Sequence, residues 1–227
     1  STPAVSRVEI ADAEGDQNSF LNEGDNVSVR ATFSEAVIVD NTSANPTITL
    51  VVGSTDRPAT YTGGTGTSQL VFQYTIQALE TDSDGISIGA GAFALPSNST
   101  IKDAALNDTI LTHDPVGYND NFKVDTTPPT VISVEIAGAE GDQNSFLNEG
   151  DNVSVTATFS EAVIVASGTP RLTLAVGSDN LTATYTSGDN STELVYRYTV
   201  ESGDNDSNGI SIGANALDNS SSTIRDR

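Results

Sequence analysis

The sequence contains no cysteine, tryptophan or methionine, and it has a single histidine, His113. The absence of cysteine excludes disulfides, thiolate nucleophiles, and zinc or iron–sulfur sites built on thiolates. A single histidine excludes a metal site with several imidazole ligands, and any Ser/His/Asp triad would have to be built around His113. The metal sites that this composition accommodates most easily are those with oxygen ligands.

Positive charge is also scarce. Nine Lys and Arg residues face 31 Asp and Glu residues, which gives a net charge of -22. Such a surface repels nucleic acid and anionic membranes and attracts divalent cations. Because no apolar run approaches the roughly 20 residues needed to span a bilayer, we expect no direct membrane insertion. The acidity has a competing explanation, salt adaptation, in which hydrated carboxylates keep a protein soluble.

The chain contains an internal repeat. Residues 8–39 recur 126 residues later as 134–165, and the match continues further along the chain, as in 85–90 and 209–214. The two differences within the first matched segment are Asp12/Gly138 and Arg30/Thr156. Near-identity over this length indicates a recent duplication, so each copy is expected to be one structural unit.

The boundary between the copies is marked by the paired prolines Pro128 and Pro129. Proline restricts itself and the preceding residue to extended backbone, so this stretch is expected to be a semi-rigid linker. The sequence therefore predicts two domains, 1–126 and 127–227.

Within each copy, apolar and polar residues alternate with a period of two, as in 27–33, 47–51 and 70–76. No window carries a convincing 3.6-residue stripe, and clusters of Gly, Asn, Asp and Ser interrupt the alternation every 8 to 12 residues. This pattern is typical of antiparallel sandwiches. The predicted fold is all-β, with two tandem Ig-like antiparallel β-sandwich domains.

The second copy has no counterpart of residues 105–125, because its last residues, 224–227, match 101–104. The unmatched stretch holds two predicted strands, 110–113 and 121–124. A sandwich without its closing strands exposes an unpaired edge and part of its core. Two explanations are open: the sequence is a fragment of a longer protein, or a strand arrives from a neighbouring molecule.

An acidic turn recurs in both copies and is the strongest candidate for a binding site in the sequence. Its alternating oxygen-bearing residues are Glu80, Asp82 and Asp84 in the first copy and Asp204, Asp206 and Asn208 in the second. This spacing, followed by glycine, reproduces the first half of an EF-hand loop, although position 12 is not Glu. We predict that the turns bind calcium (Ca2+); the alternative is an acidic turn between two strands, where Asp, Asn and Gly are favoured anyway.

Further ligands are predicted at the junction between the copies. If successive strands run up and down, a turn at 34–36 and the acidic turn lie at one pole of a sandwich, and the loop 12–25 lies at the other. In tandem, opposite poles would meet. The predicted junction residues are Asp125, one of Asp12, Glu14 or Asp16, and Glu161 with Asp204, Asp206 and Asn208. Carboxylates forced this close would repel without a cation, whereas Glu161 and its counterpart Glu35 could instead be solvated turn residues.

Several motifs together resemble a known family. They are Phe33-Ser34-Glu35-Ala36-Val37, Asp84-Gly85-Ile86-Ser87-Ile88, Ile101-Lys102-Asp103-Ala104-Ala105 and Val124-Asp125-Thr126-Thr127-Pro128-Pro129. Their order resembles the bacterial Ig-like extender repeats of giant RTX-type adhesins, and the match covers the whole chain. Leu106-Asn107 departs from the Gly-Asn usual in such repeats. The resemblance implies a calcium-rigidified, extracellular rod that holds a ligand-binding tip away from a cell surface.

The predicted function is a non-catalytic extender module of a cell-surface adhesin that supports cell adhesion or biofilm formation, with neighbouring repeats of the same chain as partners. The alternative is a subunit of an extracellular filament or surface layer, completed by a strand from an identical neighbouring subunit. A carbohydrate- or ice-binding module would require exposed aromatic platforms or regular threonine arrays. We expect no enzyme activity, because His113 has no evident catalytic partner.

Overall fold

The computed structural model describes residues 1–15, 19–219 and 221–226. The regular secondary structure of these residues is almost all β. The chain divides into two compact units, Ser1–Thr127 and Pro128–Arg227. Each unit is an Ig-like antiparallel β-sandwich, which confirms the predicted fold class. No helix in the described part of the chain is long and apolar enough to cross a membrane.

The first unit is built from one large curled sheet and one small sheet. Its described strands are β1 (Val5–Glu14), β2 (Phe20–Leu21), β3 (Asn26–Asp40), β4 (Thr47–Val52), β5 (Thr55–Gly63), β6 (Thr67–Thr75), β7 (Thr81–Asp82), β8 (Phe93–Ala94), β9 (Thr100–Lys102) and β10 (Lys123–Asp125). The large sheet has the order β1-β3-β6-β5-β4-β8, with β9 beside β3. The small sheet has the order β2-β10-β7.

The core of the first unit follows from the alternation along β3. Val27, Val29, Ala31 and Phe33 all point to the buried face, because successive side chains of a strand point to opposite faces. Val29 lies opposite Phe72 of β6, which is fully buried and contacts neighbouring aromatic rings edge-on. The predicted alternation therefore identifies the core-facing side chains of this strand.

The predicted turn at 34–36 is wrong, because β3 continues through these residues without reversing. The pairing of β3 with β6 shifts register between Thr32 and Val37, and beyond this irregularity β3 pairs with β9. Ser34 stays paired, since its N–H donates to the carbonyl of Ala4 at 2.9 Å. An irregularity of this kind bends a strand and increases its twist, so β3 serves two parts of the sandwich.

The second unit repeats the large sheet. Its described strands are β11 (Val131–Glu140), β12 (Asn152–Ser167), β13 (Arg171–Val176), β14 (Asp179–Ser187), β15 (Ser191–Thr199), β16 (Leu217–Asp218) and β17 (Thr223–Asp226). Their order is β11-β12-β15-β14-β13-β16, with β17 beside β12. The described residues of this unit contain no counterpart of the small sheet β2-β10-β7. The second sandwich therefore lacks its closing strands, as predicted.

One core position differs in polarity between the units. Tyr196 of β15 stands where the first unit has Phe72, and both side chains are fully buried. The hydroxyl of Tyr196 is buried and has no hydrogen-bond partner among the described residues. A buried hydroxyl without a partner loses its hydrogen bonds to water without replacement, and this destabilises the fold.

We expect Tyr196→Phe to stabilise the second unit by about 1 kcal/mol, because it removes this hydroxyl and keeps the ring. Phe72→Tyr, the reverse change in the first unit, should destabilise that unit. Urea unfolding followed through the NMR resonances of each unit measures both effects. A loss of stability in Tyr196→Phe would contradict the assignment of the hydroxyl as unsatisfied.

Candidate functional site

The acidic turn of the first unit and the loop before β3 lie at the same end of the sandwich. Antiparallel pairing places Asn26, the first residue of β3, opposite Thr75, the last residue of β6. β10 then pairs with both β2 and β7 and so bridges the two loops. The predicted placement of these loops at opposite poles is wrong, because it counted residues 34–36 as a reversal of the chain.

The acidic end of the first unit, defined here as residues 80–85 with the start of β3 and β10, contains a buried ion pair. Glu80 is buried in the core and accepts a hydrogen bond from Arg57 Nε. Its carboxylate also accepts from the Tyr74 hydroxyl at 2.6 Å and from the Gln77 N–H at 2.9 Å. Burial, together with this carboxylate, raises the pKa of Tyr74. Glu80 therefore holds the acidic turn against β5 and β6.

Asp82 is 3% exposed, and each of its two carboxylate oxygens accepts a hydrogen bond from a backbone N–H group. Its Oδ2 accepts from the N–H of Gly53 at 2.7 Å, and its Oδ1 accepts from the N–H of Gly85 at 2.8 Å. Burial raises the pKa of Asp82, and the nearby carboxylate of Asp84 acts in the same direction. Two adjacent carboxyl groups, one of them buried, favour a cation beside them.

The same turn is more open in the second unit. Asp204 accepts from the Tyr198 hydroxyl at 2.5 Å, but Leu181 stands where the first unit has Arg57. Asp206 accepts from the N–H groups of Asn208 at 3.0 Å and Gly209 at 2.9 Å. The N–H of Gly177 and these two donors lower the pKa of Asp206. Equivalent aspartates thus have pKa values shifted in opposite directions, because Asp82 is buried beside the carboxylate of Asp84, whereas Asp206 is half-buried and has the neutral Asn208 at that place.

Glu35 and Glu161 lie away from the acidic turns of their own units. Glu35 accepts a hydrogen bond from Ser1 Oγ at 2.6 Å. Glu161 lies on β12 near the residue that pairs with Ser191, at the start of β15, whereas the turn 204–208 follows Thr199 at its end. A nine-residue strand spans about 25 Å. The second unit therefore does not bring Glu161 together with its own acidic turn.

The remaining predicted ligands are spread over several elements. Asp12 and Glu14 lie on β1, Asp125 lies on β10, and Asp16 falls outside the described residues. Among the described residues of the first unit taken alone, no three carboxylates have oxygen atoms that all lie within 4.8 Å of one another. In the second unit, one pair of half-buried carboxylates, Glu161 and Asp226, approaches within that distance. Binding of an ion by any of these groups stays a prediction.

Sequence analysis did not identify a role for Arg57 or Asp103. Asp103 is buried and accepts from the N–H and the side-chain amide of Asn107, which lower its pKa. These bonds close a turn in which Leu106 has a φ of 67°, in the left-handed region. The available signals were that Arg57 is one of only nine cationic residues, and that an Asp precedes the unusual Leu-Asn pair.

His113 is held by structural contacts. Its Nε2 accepts from the N–H of Ala92 at 2.9 Å, and its Nδ1 lies 2.7 Å from the carbonyl oxygen of Asp114. This pattern assigns the donor role to Nδ1 and the acceptor role to Nε2. The ring also packs edge-on against Phe93. In this arrangement both ring nitrogens are engaged by the backbone.

Three comparisons, with models of protein families, with curated proteins and with solved structures, found no match to this chain. The function proposed below therefore depends on the residues, the fold and the resemblance described under Sequence analysis.

Because Glu80 is buried, we predict that two arginine substitutions in the first unit differ in their effect on its stability. Arg57→Leu introduces the residue of the second unit and leaves Glu80 buried without its cation, so we expect the first unit to lose more stability in this variant than in the control below. Arg30→Thr, which also introduces the second unit's residue, removes an exposed arginine 3.7 Å from Glu9. This control should change stability by less than about 1 kcal/mol.

Urea unfolding monitored through the resonances of the first unit measures both variants. Equal effects would mean that burial does not strengthen the Arg57–Glu80 pair.

The opposite pKa shifts of Asp82 and Asp206 predict that these two equivalent aspartates titrate at different pH. The Asp82 carboxyl should titrate at higher pH than that of Asp206 when both are followed by side-chain 13C NMR. Because its folded pKa is lowered, ionised Asp206 contributes stability at neutral pH that is lost as the pH falls through that pKa. Asp82 has the opposite sign: its ionisation destabilises the fold at neutral pH, and acidification relieves this effect. Asp84→Asn should lower the Asp82 pKa, and an unchanged value would rule out the proposed coupling.

Proposed function

We propose that this chain is a structural, non-catalytic extender segment of a surface-attached adhesin. The observation that carries the proposal is the tandem repetition of one β-sandwich, in which residues 8–39 recur almost unchanged as 134–165. A spacer gains length by adding similar modules in tandem. The resemblance to extender repeats of RTX-type adhesins supports the same role and implies an extracellular location at a cell surface.

Calcium is the proposed ligand, and the first unit offers the best supported position. Asp82 is buried beside Asp84, and Asp125 of β10 pairs with Thr81 next to them. Calcium takes six to eight oxygen ligands, which carboxylates, backbone carbonyls and water can supply together. In the second unit, Asp206 and Asn208 repeat the turn, and Glu161 with Asp226 forms a separate pair of carboxylates.

The role of the ion in this proposal is mechanical. Neutralising the carboxylates removes their mutual repulsion and connects loops that come from different strands. At the acidic end of the first unit these loops belong to β2, β7 and β10, which form the small sheet. An ion there would stabilise the part of the first sandwich with the fewest strand pairs, and so would stiffen that module.

The proposal predicts that millimolar calcium raises the thermal unfolding temperature relative to EDTA, and that molar NaCl in EDTA does not reproduce the increase. Saturation at 100 times the dissociation constant corresponds to about 2.7 kcal/mol. Asp84→Asn should reduce the calcium effect. Asp114→Asn removes the same charge from an exposed residue outside the turn and serves as the control.

Equal stabilisation by NaCl would contradict the proposal, because it would mean that the acidic surface is only screened. The acidity would then be explained by salt adaptation.

A second candidate function is a subunit of an extracellular filament or surface layer. In this function, a strand from a neighbouring subunit would pair with the second unit at the place that β10 takes in the first. This function predicts polymers in purified protein at neutral pH, measured by light scattering and electron microscopy. A monomer at all concentrations would contradict it.

A further inference from the structure

The first unit contains an Asp-Pro peptide bond, between Asp114 and Pro115, and the sequence has no other. An aspartate can attack its own backbone carbonyl carbon, because its carboxylate oxygen closes a five-membered ring with that carbon. At other Asp-X bonds a competing reaction is available, in which the backbone nitrogen of the next residue loses its proton and attacks the side chain. Proline has no N–H, so this competing reaction is excluded at Pro115. The bond is therefore a position where a side chain can cleave its own backbone.

The carbonyl of this bond accepts a hydrogen bond from His113. The Nδ1 atom of His113 lies 2.7 Å from the carbonyl oxygen of Asp114, and Nδ1 is the donor because a carbonyl oxygen can only accept. Attack on the carbonyl carbon places negative charge on this oxygen. A donor already aimed at the atom on which charge develops stabilises that charge.

The fold holds the His113 ring in this position. Its Nε2 accepts from the N–H of Ala92 at 2.9 Å, and the ring lies edge-on to Phe93 with 5.7 Å between the ring centroids. Phe93 belongs to β8 and packs against the core of the first unit. Because the imidazole is oriented in advance, little freedom has to be lost when the reaction occurs.

The backbone is anchored on both sides of the bond. The carbonyl of His113 accepts from the N–H of Gly91 at 3.3 Å. Val116 exchanges two hydrogen bonds with Ile88, at 2.9 and 2.8 Å. The bond between residues 114 and 115 lies between these anchors, which keep its carbonyl beside the His113 ring.

Water has access to the same bond. Asp114 and Pro115 are exposed, and both line a groove of about 450 Å³ between β1 and residues 112–115. A groove of this size holds several water molecules. Besides Asp114, the charged side chain that lines it among the described residues is Arg7. The exposed carboxylate is free to turn towards its own carbonyl carbon, and water is present to complete a hydrolysis.

We propose that Asp114–Pro115 is a self-cleavage site, with the Asp114 carboxylate as the nucleophile and His113 Nδ1–H as the oxyanion donor. A carboxylate oxygen of Asp114 bonds to the carbonyl carbon of the same residue. The bond from that carbon to the nitrogen of Pro115 breaks, and the nitrogen takes a proton from solvent. Water then opens the cyclic anhydride left at Asp114. The net reaction consumes one water molecule and yields residues 1–114 and 115–227.

The cleaved chain is held together by strand pairing. β10 pairs with β2 and β7, and its Val124 is 2% exposed. Residues 115–227 would therefore stay attached until the first sandwich opens. The reaction occurs once in each chain and turns over no substrate, so it is independent of the structural role proposed above.

The test follows the intact mass of the full chain in EDTA at about pH 5, roughly one unit above the ordinary pKa of aspartate. NMR spectra in the same buffer verify that the chain is folded. Samples that are denatured at successive times should contain fragments with the masses of residues 1–114 and 115–227. Without denaturation, the two fragments should elute together from a size-exclusion column. EDTA keeps the result separate from the calcium proposal.

A peptide with the sequence of residues 105–127 is the reference, because it contains the same bond without the fold. Cleavage in the folded chain should be at least about tenfold faster than in this peptide, since the peptide lacks the oriented donor. Asp114→Glu in the full chain keeps the negative charge but would have to close a six-membered ring. Cleavage at this bond should be lost in that variant.

Two variants of His113 separate its chemical role from its structural role. The side-chain amide of asparagine can donate from the place of Nδ1, so His113→Asn should cleave at a rate close to that of the wild type. The side chain of glutamine can accept from Ala92 at the place of Nε2 but offers no donor to the Asp114 carbonyl. His113→Gln should therefore stay folded and cleave at least about tenfold more slowly.

Three results would overturn the proposal: a folded chain that is cleaved no faster than the peptide, equal rates in the two His113 variants, or cleavage at this bond that Asp114→Glu retains. The first would mean that the bond has only the ordinary lability of an Asp-Pro bond. The third would identify a contaminating protease.

Discussion

The antiparallel pairing of the long strand β3 with β6, repeated by β12 and β15, is the constraint on which the rest of the structure depends. It places the beginning of one strand beside the end of the other, so the loops that precede β3 and follow β6 share one end of the sandwich. The acidic turn lies at that end in both units, and in the first unit the small sheet lies there as well. The burial of Glu80 and Asp82 therefore depends on the strand that closes the first sandwich at that end.

The two units place equivalent aspartates in different surroundings. Asp82 is buried below a sheet that contains β10 and lies beside Asp84, and its pKa is raised. Asp206 is half-buried, has Asn208 at the place of Asp84 and has no strand equivalent to β10 among the described residues, and its pKa is lowered. Both keep hydrogen bonds to backbone N–H groups of a glycine turn. The bonds are local properties of the turn, while burial is supplied by a segment some 40 residues away in sequence.

The alternation of apolar residues along strands such as 27–33 and 70–76 was sufficient to predict the fold class, because a period of two identifies one buried face. The direction of the chain at residues 34–36 was not predictable in this way: the polar Ser34 and Glu35 interrupt the apolar pattern, yet the bonds of Ser34 keep it in β3. The contacts of Glu80 could not be predicted either, because Arg57 lies 23 residues away and contacts it only when β5 packs against the turn. The local pattern therefore predicts the strands, whereas long-range pairing determines which residues each acidic side chain contacts.

The internal repeat has a consequence for folding. Residues 105–125 lie between the two sandwiches in the chain, and the second sandwich repeats residues that contact them in the first, such as Ile210 at the place of Ile86. Neighbouring domains with similar sequences are prone to misassembly, because contacts of one domain can form with the other. Synthesis from the N-terminus resolves the ambiguity: when residues 105–125 emerge, only the first sandwich has been synthesised. The order of translation therefore assigns this segment to its own sandwich, whereas refolding from denaturant exposes it to the repeated residues of the second sandwich as well.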